Sequence, residues 1–373
     1  MKQKLLISII LFLTVNAAFA QVFTNKEVGQ RNQSKKDSLK TAEYPYTLPI
    51  WGAKATNAGY SLPYSAGLSV QYFWQESDLI IENLQVGFNG GELYNLDNVV
   101  RFDKVKATAS AVTVRPDVWV FPFLNMYAIL GRSQASTEVG FGVYVPDETN
   151  NFNPIINAST IVEFQASTFG LGLTPTIGVG GGFLALDLNM SWTDVPQLRQ
   201  PARTFVFGPR FGKNFRLKNP ESSIAVWVGG FRVDLNSETN GSIAINEILP
   251  VDEFQVKVDN GIEKVGEAQV KVDTWWEGLS PADQRNPVNI AKHNAANNAI
   301  TTASQILVAA DAALNDGESA TVQYAMDKRP ADMWNFIVGS QYQLNKHLMF
   351  RLEGGFLGSR TQLMGGVQYR FGL

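Results

Sequence analysis

Apolar and polar residues alternate with a period of two along most of this chain. Near its end Leu363, Gly365, Val367, Tyr369, Phe371 and Leu373 share one parity, and Gln362, Met364, Gly366, Gln368 and Arg370 share the other. The preceding segment repeats the pattern, with Leu348, Phe350, Leu352 and Phe356 set against Met349, Arg351 and Glu353. Upstream, Trp334, Phe336, Val338, Tyr342 and Leu344 oppose Asn335, Gln341 and Gln343. Leu184, Leu186, Leu188, Met190 and Trp192 oppose Asp187, Asn189 and Ser191, and Phe205, Phe207, Pro209 and Phe211 oppose Thr204, Gly208, Arg210 and Gly212. Such alternation predicts strands with one apolar and one polar face. Ten are expected, over 63–76, 104–122, 125–145, 158–178, 181–192, 202–215, 221–234, 332–344, 347–357 and 361–373. Residues 77–103, with Ile80, Ile81 and Leu84, would make twelve if they formed an extra hairpin.

A soluble sandwich hides its apolar faces against each other, whereas a transmembrane barrel turns them to lipid. Strands of about ten residues suit a tilted crossing of a bilayer. Tyr369, Phe371, Trp334 and Trp192 sit near the ends of apolar faces, where interfacial girdles lie. The polar faces are rich in Gly and Arg and poor in Lys, unlike a water-facing sandwich. The expectation is therefore an all-β fold, an antiparallel transmembrane barrel spanning 62–373. An even strand count puts both chain ends in the periplasm. The short connections 122–125, 178–181, 217–221 and 345–347 become periplasmic turns, and 77–103, 146–157, 193–201 and 235–331 become outer loops. The glycines at 178 and 180–182 fit such a turn and lack the Lys and Ser/Thr of a phosphate loop. In the large outer loop Asn286 and Pro287 open a helix that Asn315, Asp316 and Gly317 close, predicting a helix over 287–314. Ser280, Pro281, Ala282 and Asp283 suggest the start of a shorter one.

Composition sharpens this picture. Lys2 and Lys4, the apolar stretch 5–15 and Ala18-Phe19-Ala20 predict a secretory signal peptide over 1–20. Residues 21–61 then form a periplasmic N-terminal segment, polar and Lys/Ser/Gln-rich at its start. Losing Lys2 and Lys4 leaves 29 of the 31 basic residues against 34 acidic ones, a balance that speaks against nucleic-acid binding. With no cysteine there is no disulfide scaffold and no thiolate metal site. Charged residues make up 17% of the chain, below the ~25% of soluble domains. Mean hydropathy is nonetheless −0.07. A barrel reconciles the two values, because lipid-side apolar residues average with lumen-side polar ones.

Candidate chemistry is confined to charges expected in the lumen, namely Arg115, Asp117, Arg132, Asp187, Arg210, Arg232, Asp234, Arg351, Glu353 and Arg370. Charges in a narrow lumen pair with one another or stay hydrated. They predict either a stiffening network or a constriction that selects solutes, with Arg favouring carboxylates and phosphates. Barrel enzymes need a histidine base at the mouth. The chain has two histidines, His293 in the helical loop and His347 in a turn, neither beside a Ser or Asp. No catalytic, cofactor or metal site is assigned, and acidic pairs such as Asp252 and Glu253 read as solvated surface.

The chain end resembles those of Gram-negative outer-membrane β-barrels. Gly366, Tyr369 and Phe371 match their C-terminal insertion signal, though Gly372 and Leu373 extend past the usual final aromatic. The run Asp117, Trp119, Pro122, Phe123, Leu124, Asn125 and Tyr127 is similar to an Asp-x-Trp-x-x-Pro-Phe-Leu-Asn-x-Tyr core found in one group of such barrels. The resemblance implies an outer-membrane location, with membrane lipid and the barrel-assembly machinery as partners. The functional expectation is a narrow channel or transporter for a small solute. The alternative is a non-transporting surface barrel whose outer loops bind a ligand or partner.

Overall fold

The computed structural model describes residues 33–373 except 42, 148–150, 180, 197–199, 220, 237 and 249. The expected signal peptide lies outside them. Two short helices, α1 (Gln33–Thr41) and α2 (Gly52–Asn57), precede the sheet. The strands that follow are β1 (Ala66–Phe88), β2 (Tyr94–Asn95), β3 (Val100–Phe121), β4 (Leu124–Pro146), β5 (Phe152–Val179), β6 (Gly182–Asp194), β7 (Ala202–Arg216) and β8 (Ser223–Asn236). An insertion carries β9 (Glu238–Ala244), α3 (Ile245–Ile248), α4 (Val251–Glu277), α5 (Pro287–Leu314), a 3-10 turn at Gly317–Ser319 and β10 (Thr321–Pro330). The chain ends on β11 (Trp334–Gln343), β12 (Leu348–Phe356) and β13 (Arg360–Phe371).

Ten of these strands close a barrel in the order β1-β3-β4-β5-β6-β7-β8-β11-β12-β13 and back to β1. Closure is antiparallel, with Ala66 opposite Phe371 and Ser77 opposite Arg360. The residues at 77–103 add no barrel hairpin. Instead β1 runs straight on to Phe88, past an irregularity between Glu82 and Gln85. Asn83 there takes a positive φ of 54°. The edge of β1 that β13 leaves is taken up by β10, because Asp78 N–H donates to Ser359 O at 2.9 Å and Ala331 N–H to Asp78 O at 3.0 Å. The outward face bears the exposed Leu68, Val70, Tyr72, Leu130, Phe169, Val228, Leu352 and Val367. This belt ends in aromatic pairs such as Phe169 with Trp192 and Phe207 with Trp334. Above it the outer surface turns to ion pairs, Lys106–Glu76 at 2.6 Å and Lys104–Glu138 at 2.7 Å. No described helix is long and apolar enough to cross a membrane; the chain crosses with strands.

Turns at the opposite end are short, and Gly181 takes φ 80° in one of them. The lead-in to the barrel packs there, with Leu48 N–H donating to Leu373 O at 3.2 Å and Ile50 N–H to Val120 O at 2.8 Å.

The large outer loop is more ordered than the sequence pattern suggests. It begins and ends in paired strands, β9 and β10, that continue the sheet above the barrel. The helix expected over 287–314 is α5, whose cap Asn286 accepts from Val288 N–H at 2.9 Å. Its antiparallel partner α4 went unpredicted, and the segment at Ser280 forms turns instead of a helix. The many valines and two glycines of α4 lower its intrinsic helicity, so packing stabilises it. Val258, Gly261, Val265, Ala268 and Val272 bury one stripe against α5. A Cβ on Gly261 would press on the side-chain ends of Leu307 and Ile156, which would have to shift to admit it. Replacing Asn286 by Ala is expected to cost about 1 kcal/mol of local stability. Faster amide exchange confined to the first turn of α5 would register the loss.

Candidate functional site

The inner face of β1 marks a change of chemistry along the lumen. Gly67, Ser69 and Gln71 face inward low in the barrel; Phe73, Leu79, Ile81 and Leu84 face inward higher up. The lower lumen is a packed polar floor. Arg210 donates to Glu353 from Nε at 2.9 Å and Nη2 at 3.1 Å, and from Nη1 to Asp187 at 3.0 Å. Glu353 also accepts from Trp227 Nε1 at 2.8 Å and Arg351 Nη2 at 3.1 Å. The Tyr127 hydroxyl donates to Asp187, and the Arg115 guanidinium lies 4.0 Å from the Tyr127 ring centroid. Closer to the short-turn rim, Arg370 and Asp117 pair at 3.0 Å while Asn125 donates to the same carboxylate at 2.7 Å. Each charge has an opposite or polar neighbour, which is how ionised groups survive burial. Gly339 and Gly172 make room, since a Cβ would overlap the Trp227 ring at the first and the Tyr127 ring at the second.

Above this floor lies a cavity of about 660 Å³. Phe73, Ala109, Ala135, Phe164, Val206 and Phe231 line it within the barrel, and Phe254, Val258, Ile306 and Leu307 of the helical hairpin cover it. Small side chains on β3 and β4 supply the space. Three cations reach its wall, Lys257, Lys328 and Arg360, and among the described residues no carboxylate does. Lys257 donates to Asn157 O at 3.2 Å and lies 3.8 Å from Glu253.

Lys328 sits well above the apolar belt, opposite Ile81. Burial alone pulls its ammonium below the usual lysine range, with no charge or hydrogen bond offsetting it. In the unfolded chain it binds its proton up to a higher pH. Its burial penalty is therefore full below the folded pKa and fades as pH rises from there toward ~10.4, so stability should climb over that window. Lys328→Met should abolish that climb in urea titrations followed from neutral to alkaline pH.

Of the ten charges expected in the lumen, Arg115, Asp117, Asp187, Arg210, Arg351, Glu353 and Arg370 stand on the inner face and form the floor. Arg132, Arg232 and Asp234 do not. No register shift interrupts β4 from Met126 to Arg132 or β8 from Val226 to Asp234. Arg132 therefore shares the outer face of Met126 and Leu130, and Arg232 and Asp234 share that of Val226 and Val228. Their even positions carried that signal. Gly366 faces inward; Tyr369 and Phe371 are exposed on the outer face. His347 is wedged between Tyr64 and Tyr369, and His293 stacks on Trp276 with ring centroids 4.2 Å apart.

A closed barrel with an apolar outer belt and a polar lower lumen is the architecture of a Gram-negative outer-membrane protein, because closure leaves no unpaired edge in lipid. No family model matches the chain, and no curated protein does. Solved structures do. The β domain of the Bordetella autotransporter BrkA is 10% identical, with 82% of this chain and 100% of that one covered at a TM-score of 0.33. The translocator domain of the autotransporter NalP from Neisseria meningitidis is 8% identical, covering 92% and 94% at a TM-score of 0.31. An outer membrane channel from Pseudomonas putida F1 is 9% identical, covering 83% and 97% at a TM-score of 0.28.

Proposed function

We propose that this barrel captures a small, largely apolar molecule in its upper lumen and serves the passage of that molecule across the outer membrane. The carrying observation is the chamber itself, about 660 Å³ of mostly hydrocarbon-lined space between the helical hairpin and the charged floor. Sites for small ligands span ~300–1,000 Å³ and are mostly apolar with a few placed polar groups. A water-filled solute pore needs the opposite lining. The floor argues against a resting ion path, since Arg210, Glu353 and Trp227 fill the lumen with little exposed surface. Passage then requires the floor to rearrange once the chamber is occupied.

Equilibrium dialysis of naphthalene against lipid nanodiscs with and without the protein tests this reading. The protein should add about one bound molecule per barrel. Ala135→Trp, which fills the chamber from its wall, should remove that excess while the barrel keeps its heat-modifiable gel mobility. Equal uptake by empty and loaded discs would refute the proposal. Large ohmic conductance of the unmodified protein in planar bilayers would return the reading to an open channel.

A further inference from the structure

We infer that the occupant of the chamber is an amphipathic anion, a carboxylate on an apolar tail, whose headgroup is held by Lys328 and Arg360. The inference rests on the apolar chamber proposed above and adds the chemistry of its ligand. Both cations front the chamber from the same edge of β1. Arg360 of β13 lies opposite Ser77, and Lys328 of β10 opposite Ile81. Four residues of strand separate the two positions, about 13 Å at ~3.3 Å per residue. Two long side chains rooted that far apart on one cavity wall can both reach a single headgroup.

Neither cation is satisfied from within. Arg360 is 3% exposed, and its Nε and Nη1 have no hydrogen-bond partner. Its Nη2 reaches the carbonyl of Asp332 at 3.5 Å. The Asp332 carboxylate lies close enough to attract the guanidinium but accepts no hydrogen bond from it, accepting instead from Ser359 N–H at 2.8 Å. Leaving a buried guanidinium with two idle donors is costly unless something else supplies the acceptor. The floor, a few residues lower, pairs Arg210, Arg351 and Arg370 with carboxylates; among the described residues Lys328 and Arg360 have no such ion pair. A planar carboxylate suits the fork of Arg360, and the point charge of Lys328 serves the same anion without a geometric demand. The tail then occupies the hydrocarbon wall of Phe73, Ala109, Ala135 and Phe164, where burying each methylene is favourable.

The test compares dodecanoate, dodecanol and dodecyl phosphate as competitors of naphthalene in protein-loaded nanodiscs, corrected against empty discs. Dodecanoate is expected to compete at least tenfold better than dodecanol. Lys328→Met and Arg360→Met should each reduce that preference, and the two together should bring it to within twofold. Direct naphthalene binding measured for each variant normalises its competition data, and gel mobility reports that each variant is folded. Equal competition by acid and alcohol, or an acid preference that survives in the double variant, overturns the inference while leaving the chamber intact. Stronger competition by the phosphate than by the carboxylate overturns the choice of headgroup. Loss of naphthalene binding in the unaltered protein is a different failure, that of the chamber itself.

Discussion

Replacing Glu353 with Ala lowers the unfolding free energy of the barrel by about 3–5 kcal/mol, the range for removing one member of a buried ion pair. The size of the effect follows from what Glu353 holds. Its carboxylate receives both arms of Arg210, one arm of Arg351 and the indole N–H of Trp227. Without it two guanidinium groups share one remaining carboxylate, Asp187, in a buried space. Urea unfolding of protein reconstituted in vesicles, followed by tryptophan fluorescence, measures the loss. A cycle with Arg210→Met shows whether the floor acts as a unit. Each single change strands a partner charge, so the double change should cost clearly less than the sum of the two. Costs that simply add would mean that the groups are independent, and the floor would be no network. A stability unchanged by Glu353→Ala would remove its structural role altogether.

The second large effect falls on binding. Residues 245–320 can be replaced by Asn-Gly, because Ala244 and Thr321 already face each other across the β9–β10 pair. A two-residue turn of that composition joins antiparallel strands without strain. All barrel pairings lie outside the excised segment, so heat-modifiable mobility should persist. The chamber, however, loses the wall made by Phe254, Val258, Ile306 and Leu307. Naphthalene binding should fall at least tenfold. Leu84, Leu96, Val99, Val143 and Val145, now packed beneath the helices, would face water. A contiguous apolar patch of this kind drives association, so the variant should elute from gel filtration as larger species. Unchanged naphthalene affinity would mean that the hairpin is no part of the binding site.

The barrel was legible in the sequence because lipid imposes a rule that every strand must obey. Leu363, Val367, Tyr369 and Phe371 alternate with Gln362, Gln368 and Arg370 for a reason local to the strand. The helix from Pro287 was legible because its cap chemistry is equally local. The chamber was not. Its lining, such as Ala135, Phe164 and Phe231, occupies inward positions, which a barrel is expected to fill with polar groups. An apolar inner face seen alone reads as a break in the pattern. Only the hairpin, brought across from residues 251–314, makes it a shared interior. The same assumption misplaced Arg232 and Asp234. A charge on a barrel strand reads as lumen-facing, but above the lipid belt a charged outer face meets water at no cost. Lys328 and Arg360 carried no sequence signal either, since nothing local reveals that a cation lacks a partner. β9 and β10 stayed hidden for a related reason, because each pairs above the membrane, where no strict alternation is demanded.

Strand β1 belongs to both halves of the molecule, and this sets an order of events. Its lower edge waits for β13, and its upper edge for β10. Ala66 finds Phe371 only when nearly the whole chain has been delivered, and Ile81 finds Lys328 only slightly earlier. The strand that appears first is thus the last to be completed on that edge. Contacts of such long sequence separation form slowly. Sealing the cylinder and finishing its outer dome then both fall late in assembly. A chain stalled before that stage would present an open seam and an unroofed apolar mouth together, a single recognisable marker of unfinished assembly.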